Sequence, residues 1–490
     1  MFGLGKHSIW NLCKRLALVS ALGAALAACS GAEEEVANAW APENFVLENG
    51  MQVIVIPDHR VPVVTHMVWY YVGAADEPEG QSGIAHFLEH LMFKGTDEMG
   101  PGEFSEIVAA NGGVDNAFTS WDYTAYFQRV ALDRLEMFMR MEADRMTDLQ
   151  IPDEDFYSER DVISEEIRIG EQDIDRIMNV EMGSALWPRH PYGVPIGGWL
   201  HEAAELTPEN VMDFYNTWYA PNNAILIVAG DITAEQLRPL AEEIYGVIPS
   251  RDVPERNRPQ NPPSQAARQI SLEHELAGER YLYRYYHAPS TSTGGLELST
   301  ALQVGMSILD GGTSDWLYRE LVIERGLATT AGAGYWGSPL DDGRITFYAV
   351  PNEGVDFTEL EAAMDEVIAD YLLTGPTDAQ LSRTKTSMTA AAIYARDSQV
   401  SMAQVFGRSL TSGETLEQIM GWTGAVEGVT REAVIEALMP LLVPQNSVTG
   451  TLSPPPPEVP QDAKSESSVM DETMPETTED ETPSDKGEES

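Results

Sequence analysis

The feature that most limits the fold is an order of elements that repeats on either side of a proline-rich break. Residues 251–268 (RDVPERNRPQNPPSQAAR) are mostly Pro, Asn, Gln and Arg. Such a segment has too few large apolar side chains to build a packed element and reads as a linker. It separates residues 44–250 from residues 269–452. Each part opens with alternating or β-branched runs: FVLENGMQVIVIPD and VVTHMVWYYVG in the first, RQISLEHEL and RYLYRYYHAP in the second. Each later runs through a Gly-marked turn, two strands and a long amphipathic helix. In the first part these are GGVDNAFTS, DYTAYFQRV and ALDRLEMFMRMEADRM; in the second, GLATTAGAGYW, GRITFYAV and FTELEAAMDEVIADYLL. The order repeats while the residues differ, which suggests a duplication. Strands joined by tight turns, with helices not strictly alternating, predict an α+β architecture: two homologous halves, each a mostly antiparallel sheet covered by helices.

The two ends stand outside this core. Residues 1–28 carry Lys6, Lys14 and Arg15 and no acid, followed by an apolar run from Leu16 to Ala28. The run is shorter than the roughly 20 residues a membrane-spanning helix needs, and a secretory signal peptide is expected. Leu26-Ala27-Ala28-Cys29 resembles a bacterial lipobox, which implies that Cys29 is lipidated and begins the mature chain, with residues 29–43 as a tether. Acyl chains contribute about 0.8 kcal/mol per buried CH₂, enough for a stable membrane anchor. Ser30 after the cysteine resembles outer-membrane lipoproteins, so a periplasm-facing location in a bacterial cell envelope is expected. Residues 453–490 begin SPPPPEVPQ and then mix acids with Ser, Thr and Pro; this tail is expected to be disordered.

Charge and cysteine usage exclude several functions. Acids number 78 against 30 Lys and Arg, a formal charge of −48. Such a surface repels phosphate, and no nucleic-acid partner is expected. The two cysteines, Cys13 and Cys29, rule out a disulfide scaffold and a Cys-rich zinc module.

The chemistry concentrates in GIAHFLEHLMFKGT, residues 83–96. On a helix, His86 and His90 share one face, and two imidazoles at that spacing can converge on one metal ion. With Glu89 they form His-x-x-Glu-His, the inverted zincin motif. Two histidines and a carboxylate suit zinc and leave a position for water. The carboxylate must come from elsewhere. Residues 155–173 (DFYSERDVISEEIRIGEQD) offer Glu159, Glu165 and Glu166, and spacing alone leaves the choice open.

From Asn44 to Leu452 the sequence resembles the pitrilysin/insulinase family of zinc metallopeptidases, in particular the branch that includes mitochondrial processing peptidase and many bacterial peptidases. The likeness is carried by LENGMQV, HFLEHLMFKGT, NAFTS (116–120), ERDVISEEI, HPYG (190–193) and YAPNNAILIVAGD, in that order. It implies one zinc per chain held by His86, His90 and Glu166, with Glu89 as general acid–base and Glu159 as a second carboxylate that orients the site. It also implies that Asn116, Ala117 and Phe118 form an edge strand to which an extended peptide substrate adds. The expected activity is endopeptidase cleavage of short or unfolded peptides.

One family feature is missing. Active members carry an Arg and, seven residues later, a Tyr in the second half. Aligning ERGLA puts Val322 and Thr329 at those positions; Arg319, Arg325 and Tyr335 are near but wrongly spaced. A homologous partner chain that supplies the Arg–Tyr pair is therefore expected, as in the heterodimeric members. The alternative is a catalytically silent scaffold of the same fold. His190, His201, His274 and His287 have no ligand spacing and read as structural.

Overall fold

The computed structural model describes residues 42–456 except 311 and 313–315. Cys29, the leader and the tail beyond Pro456 lie outside the described residues, and among the described residues no helix is long and apolar enough to cross a membrane.

The first half builds a six-stranded sheet from β1 (Glu43–Val46), β2 (Gln52–Pro57), β3 (Val63–Tyr70), β4 (Val114–Thr119), β5 (Thr124–Ala131) and β6 (Ala224–Gly230), in the order β1-β2-β6-β3-β5-β4. The second half builds a five-stranded sheet from β7 (Arg268–Glu273), β8 (Tyr281–Ala288), β9 (Ala328–Trp336), β10 (Gly343–Pro351) and β11 (Ser447–Ser453), in the order β7-β11-β8-β10-β9. With β1 set aside the two orders are the same. In each, the first strand pairs in parallel with the last (β2 with β6, β7 with β11), and every other pairing is antiparallel. The repeat suggested by the sequence is thus a repeat of topology: two mostly antiparallel sheets covered by helices.

Four helices frame the site: α1 (Ile84–Leu91), α2 (Asp153–Gly170), α3 (Ile174–Leu186) and α4 (Gln399–Thr411). Strand β6 (AILIVAG) is buried along its whole length, which explains its unbroken apolar run. One face of it, Leu226 and Val228, joins the core under α1 and α2. The other, Ile225, Ile227 and Ala229, is covered by Ala403, Phe406 and Leu410 of α4, a helix of the second half. The exchange is reciprocal. Helix α3 of the first half lays Met178, Met182 and Leu186 against Tyr285, Val448 and Leu452 of the second sheet. Close approach is built into both contacts: a Cβ at Gly407 would run into the Trp69 indole, and one at Gly450 into Met178 and Met182.

The linker is not a loose tether. It contains no helix or strand before β7 begins at Arg268, yet Arg258 within it is buried and reaches both halves. Its guanidinium bonds both oxygens of Asp76 (3.0 Å each), Asp122 (2.6 Å) and Asp341 of the second half (3.0 Å). Tyr192 donates to Asp122 (2.7 Å) and accepts from the Asp341 amide (3.1 Å). Burial raises the Asp341 pKa, but the His190 ring 3.1 Å away and the Arg258 charge outweigh it and hold it at about 2.

Two outcomes are expected. Gly407→Ala, which drives a methyl into a fully buried indole, lowers stability by about 1–3 kcal/mol in a urea titration. The stability that Asp341 contributes is complete above its ordinary pKa of 3.8 and lost as pH falls towards about 2. The gap in unfolding free energy between the native chain and Asp341→Asn should therefore hold steady from about pH 5 to 7 and close below about pH 4.

Candidate metal centre

Helix α1 is eight residues long, with Ile84, Phe87, Leu88 and Leu91 buried, and His86 and Glu89 turned to a cleft. Gly83, at φ +90°, has no side chain to cap it. Glu77 does so from a distance, accepting the Gly83 and Ala85 amides at 2.9 Å each. A carboxylate there also meets the positive end of the helix dipole. Burial pushes the Glu77 carboxyl up, and the two amides pull against it.

Helix α2 buries Phe156, Ile163 and Ile167, and Phe156 meets Phe87 of α1 with ring centroids 5.0 Å apart. That contact presents one stripe of α2 to the histidines. Glu166 Oε2 lies 4.0 Å from His86 Nε2 and 3.8 Å from His90 Nε2, and the three donor atoms lie within 4.8 Å of one another. A tetrahedral ion with bonds near 2.0–2.1 Å holds its ligand atoms roughly 3.4 Å apart. Small side-chain rotations close that difference, so this donor set fits zinc. It is the one such group of ligating side chains among the described residues. Glu165, one residue earlier, turns away to the Arg168 guanidinium at 3.3 Å.

The other residues around the cluster have separate partners. Glu159 binds His90 Nδ1 at 2.8 Å and Lys94 Nζ at 2.5 Å. The His90 bond is the main reason its carboxyl is held at about 2, with burial opposing and Lys94 assisting. In the neutral ring this bond keeps the proton on Nδ1 and leaves Nε2 free to ligate. Burial lowers His86 to about 4, with the neighbouring His90 and Arg176 adding to the effect. Burial also works against charge on His90, but Glu159 and Glu166 outweigh it and raise its pKa. Glu89 accepts a 2.5 Å bond from the Thr119 hydroxyl; burial raises its carboxyl and Thr119 opposes.

Strand β4 is the outer edge of its sheet. Ala117, Phe118 and Thr119 on it border an open cleft of about 420 Å³ that also contains His86, Glu89 and Glu166. Asn116 does not line the cleft; its Oδ1 accepts the Ala117 amide at 2.9 Å. Thr119, Lys94 and Glu77 were not singled out by the sequence. Thr119 sits inside the NAFTS segment and Lys94 four residues after His90, but only the folded contacts give them partners.

In the second half, Val322 lies in a π-helical turn (Tyr318–Glu324) and packs on the core, and Thr329 at the start of β9 bonds the Val350 carbonyl. Arg319 pairs with Glu320, Arg325 with Glu366, and the Tyr335 hydroxyl donates to the Pro289 carbonyl. His190, His201, His274 and His287 take no part in the ligand cluster.

Comparison with known proteins places this geometry in a family. Residues 52–198 match the family model "Insulinase (Peptidase family M16)", and residues 205–388 match "Peptidase M16 inactive domain". "Zinc protease PqqE" of Helicobacter pylori is 29% identical over 385 residues, 76% of this chain and 84% of that protein. The crystal structure of a protease from Helicobacter pylori superposes with a TM-score of 0.77 at 27% identity, covering 84% of this chain and 99% of that one. A structure described as a peptidase M16 inactive domain, from Pseudomonas fluorescens, has the same fold at 16% identity and a TM-score of 0.76, covering 86% and 99% of the two chains. With the paired sheets, the inverted histidine motif and both M16 models in register along it, the chain belongs to the pitrilysin/insulinase (M16) family of peptidases.

Proposed function

We propose that the chain is a zinc-dependent endopeptidase acting on short or unfolded peptides, and that it is the zinc-bearing subunit of a heterodimer. The observation that carries this reading is the convergence of His86, His90 and Glu166 beside Glu89, in a cleft bordered by an open strand edge. His86, His90 and Glu166 would hold the zinc, which when bound would supply Lewis acidity for water activation and carbonyl polarisation.

The chain's own residues do the rest. Glu89 takes the proton of the attacking water and returns it to the leaving amine. Burial raises its pKa above the ordinary carboxylate range, and Thr119 fixes one of its oxygens. Glu159 orients His90. Edge strand β4 receives the peptide as an added strand, main chain to main chain, so side-chain selectivity is broad apart from specific pockets. Lipidated Cys29, the first residue once the leader is removed, tethers the enzyme to the envelope, facing the periplasm.

Val322 and Thr329 favour completion by a partner. Neither donates as the family's Arg and Tyr do, and loss of one oxyanion donor costs about 100- to 1000-fold in rate. The same two residues favour a second reading, a catalytically silent scaffold. A scaffold, however, has no use for a general base beside three converging ligands.

Metal analysis with cleavage of a quenched peptide, with and without a homologous partner, separates the readings. The peptidase reading expects one zinc per chain, weak turnover alone and full turnover with the partner. A zinc-free chain, or one silent with every partner, supports the scaffold. Glu89→Gln should keep the zinc and lose at least about 100-fold in kcat. Glu159→Gln should weaken zinc binding by about 10- to 100-fold in a chelator competition while the fold survives.

A further inference from the structure

The cleft contains one cationic side chain that the proposed reaction does not use. Arg176, in the first turn of α3, is the only Arg or Lys among the described residues that line it. The guanidinium lies over the backbone of Gly170 at the end of α2, where any Cβ would collide with it. Its other side faces Gly197: a Cβ there would stand 3.6 Å from Arg176 Nη2 and 3.9 Å from His86 Nδ1. Two glycines thus make room for the group beside the histidine. Among the described residues no carboxylate lies within ion-pair distance of it, although the chain holds 78 acids. Arg60, Arg140, Arg168, Arg319 and Arg325, all on the surface, each have such a partner.

Position decides what Arg176 can do. It lines the cleft together with His86, Glu89 and Glu166, and both its Nη2 and His86 Nδ1 lie close to Gly197. It therefore stands beside the cluster of His86, His90 and Glu166 and outside the ligand set. A peptide extended along β4 advances about 3.3 Å per residue, so a flanking group meets a neighbouring part of the substrate. A planar guanidinium with free donors recognises carboxylate two bonds at a time.

We propose that Arg176 forms a carboxylate-binding subsite beside the metal centre, selecting peptides that present an acidic side chain or a free C-terminal carboxylate close to the scissile bond. The subsite rests on the peptidase reading for its substrate class. It gives that reading a selectivity which main-chain pairing does not supply, and it acts against the long-range repulsion of a strongly acidic chain, screened beyond about 8 Å at physiological salt.

The test is binding, using the zinc-loaded full chain carrying Glu89→Gln so that peptides are held without turnover. Fluorescent octapeptides walk a single Glu or Gln through the central positions, each made with a free or an amidated C-terminus. One carboxylate position should bind about tenfold more tightly than its neutral counterpart. The Glu series and the carboxylate/amide pairs tell the two sources apart. Arg176→Gln should erase the preference and Arg176→Lys should keep part of it. Gly170→Ala, in a helical position that tolerates alanine, should reduce it by displacing the guanidinium while leaving its charge. Equal binding of charged and neutral peptides, or a preference that survives Arg176→Gln, overturns the subsite. Cleavage by the native chain is read separately. A carboxylate preference without cleavage by any pairing of subunits defeats the peptidase reading alone, cleavage without the preference defeats the subsite alone, and no peptide binding defeats both.

Discussion

The packing of Phe87 on Phe156 is the contact on which the metal centre depends. Both rings are fully buried, and together they fix the height and rotation of α1 against α2. Helical periodicity does the rest. Glu159 lies three residues after Phe156 and Glu166 seven after Glu159, so one buried anchor aims both carboxylates at the histidine face. The two then meet different nitrogens: Glu159 takes His90 Nδ1, while Glu166 faces both Nε2 atoms. The ligand cluster is thus a consequence of apolar packing, with Glu77 capping the first turn of α1. Relaxing that packing would displace His86, His90, Glu159, Glu166 and Glu89 relative to one another.

A second constraint acts on the halves. Each gives one helix to the other's sheet, α3 to the second and α4 to the first, and glycine at both contacts removes the volume that would hold them apart. The Arg258 knot sits between them with Asp76 and Asp122 nearly dry and Asp341 partly exposed. Desolvating such a group is costly, and the knot is worth having only because Asp76, Asp122 and Asp341 saturate the guanidinium with well-placed bonds. It ties the linker and the start of the metal-bearing unit to the second half. This matters for the cleft because α3, the exchanged helix, also carries Arg176. The element that joins the halves therefore contributes to the wall of the site.

What the sequence revealed and what it hid divide along contact range. The histidine pair, Glu89 between them and the repeated strand order are local patterns, and local periodicity suffices to read them. Glu166 against Glu165 was separable only through the family likeness; spacing on α2 leaves both open, and the fold turns one to the histidines and the other to Arg168. Thr119, Lys94 and Arg258 stayed hidden because their partners lie far along the chain or on another element, and nothing in composition pairs them. The linker shows this most plainly. Its Pro, Asn and Arg content reads as solvated chain, and the absence of regular structure is correct, yet Arg258 is buried because three acids from distant segments meet it. The exchange of helices was hidden for the same reason: an amphipathic pattern states that a face is buried, not which sheet buries it.

The second half explains why the missing Arg and Tyr are not replaced within the chain. Val322 is held in a π-helical turn against the core beneath it, and a rotamer change there offers no donor. Arg319 and Arg325 are engaged with Glu320 and Glu366, and the Tyr335 hydroxyl already donates to a backbone carbonyl. Recruiting any of them would unpair an acid or a carbonyl and move an element of the second sheet. Among the described residues Arg176 is the one guanidinium at the cleft, set between Gly170 and Gly197. The cleft therefore holds His86, Glu89, Glu166 and the Arg176 cation, while an Arg–Tyr pair is absent from its described walls. That combination is what a subunit needs if the remaining donors arrive on another polypeptide.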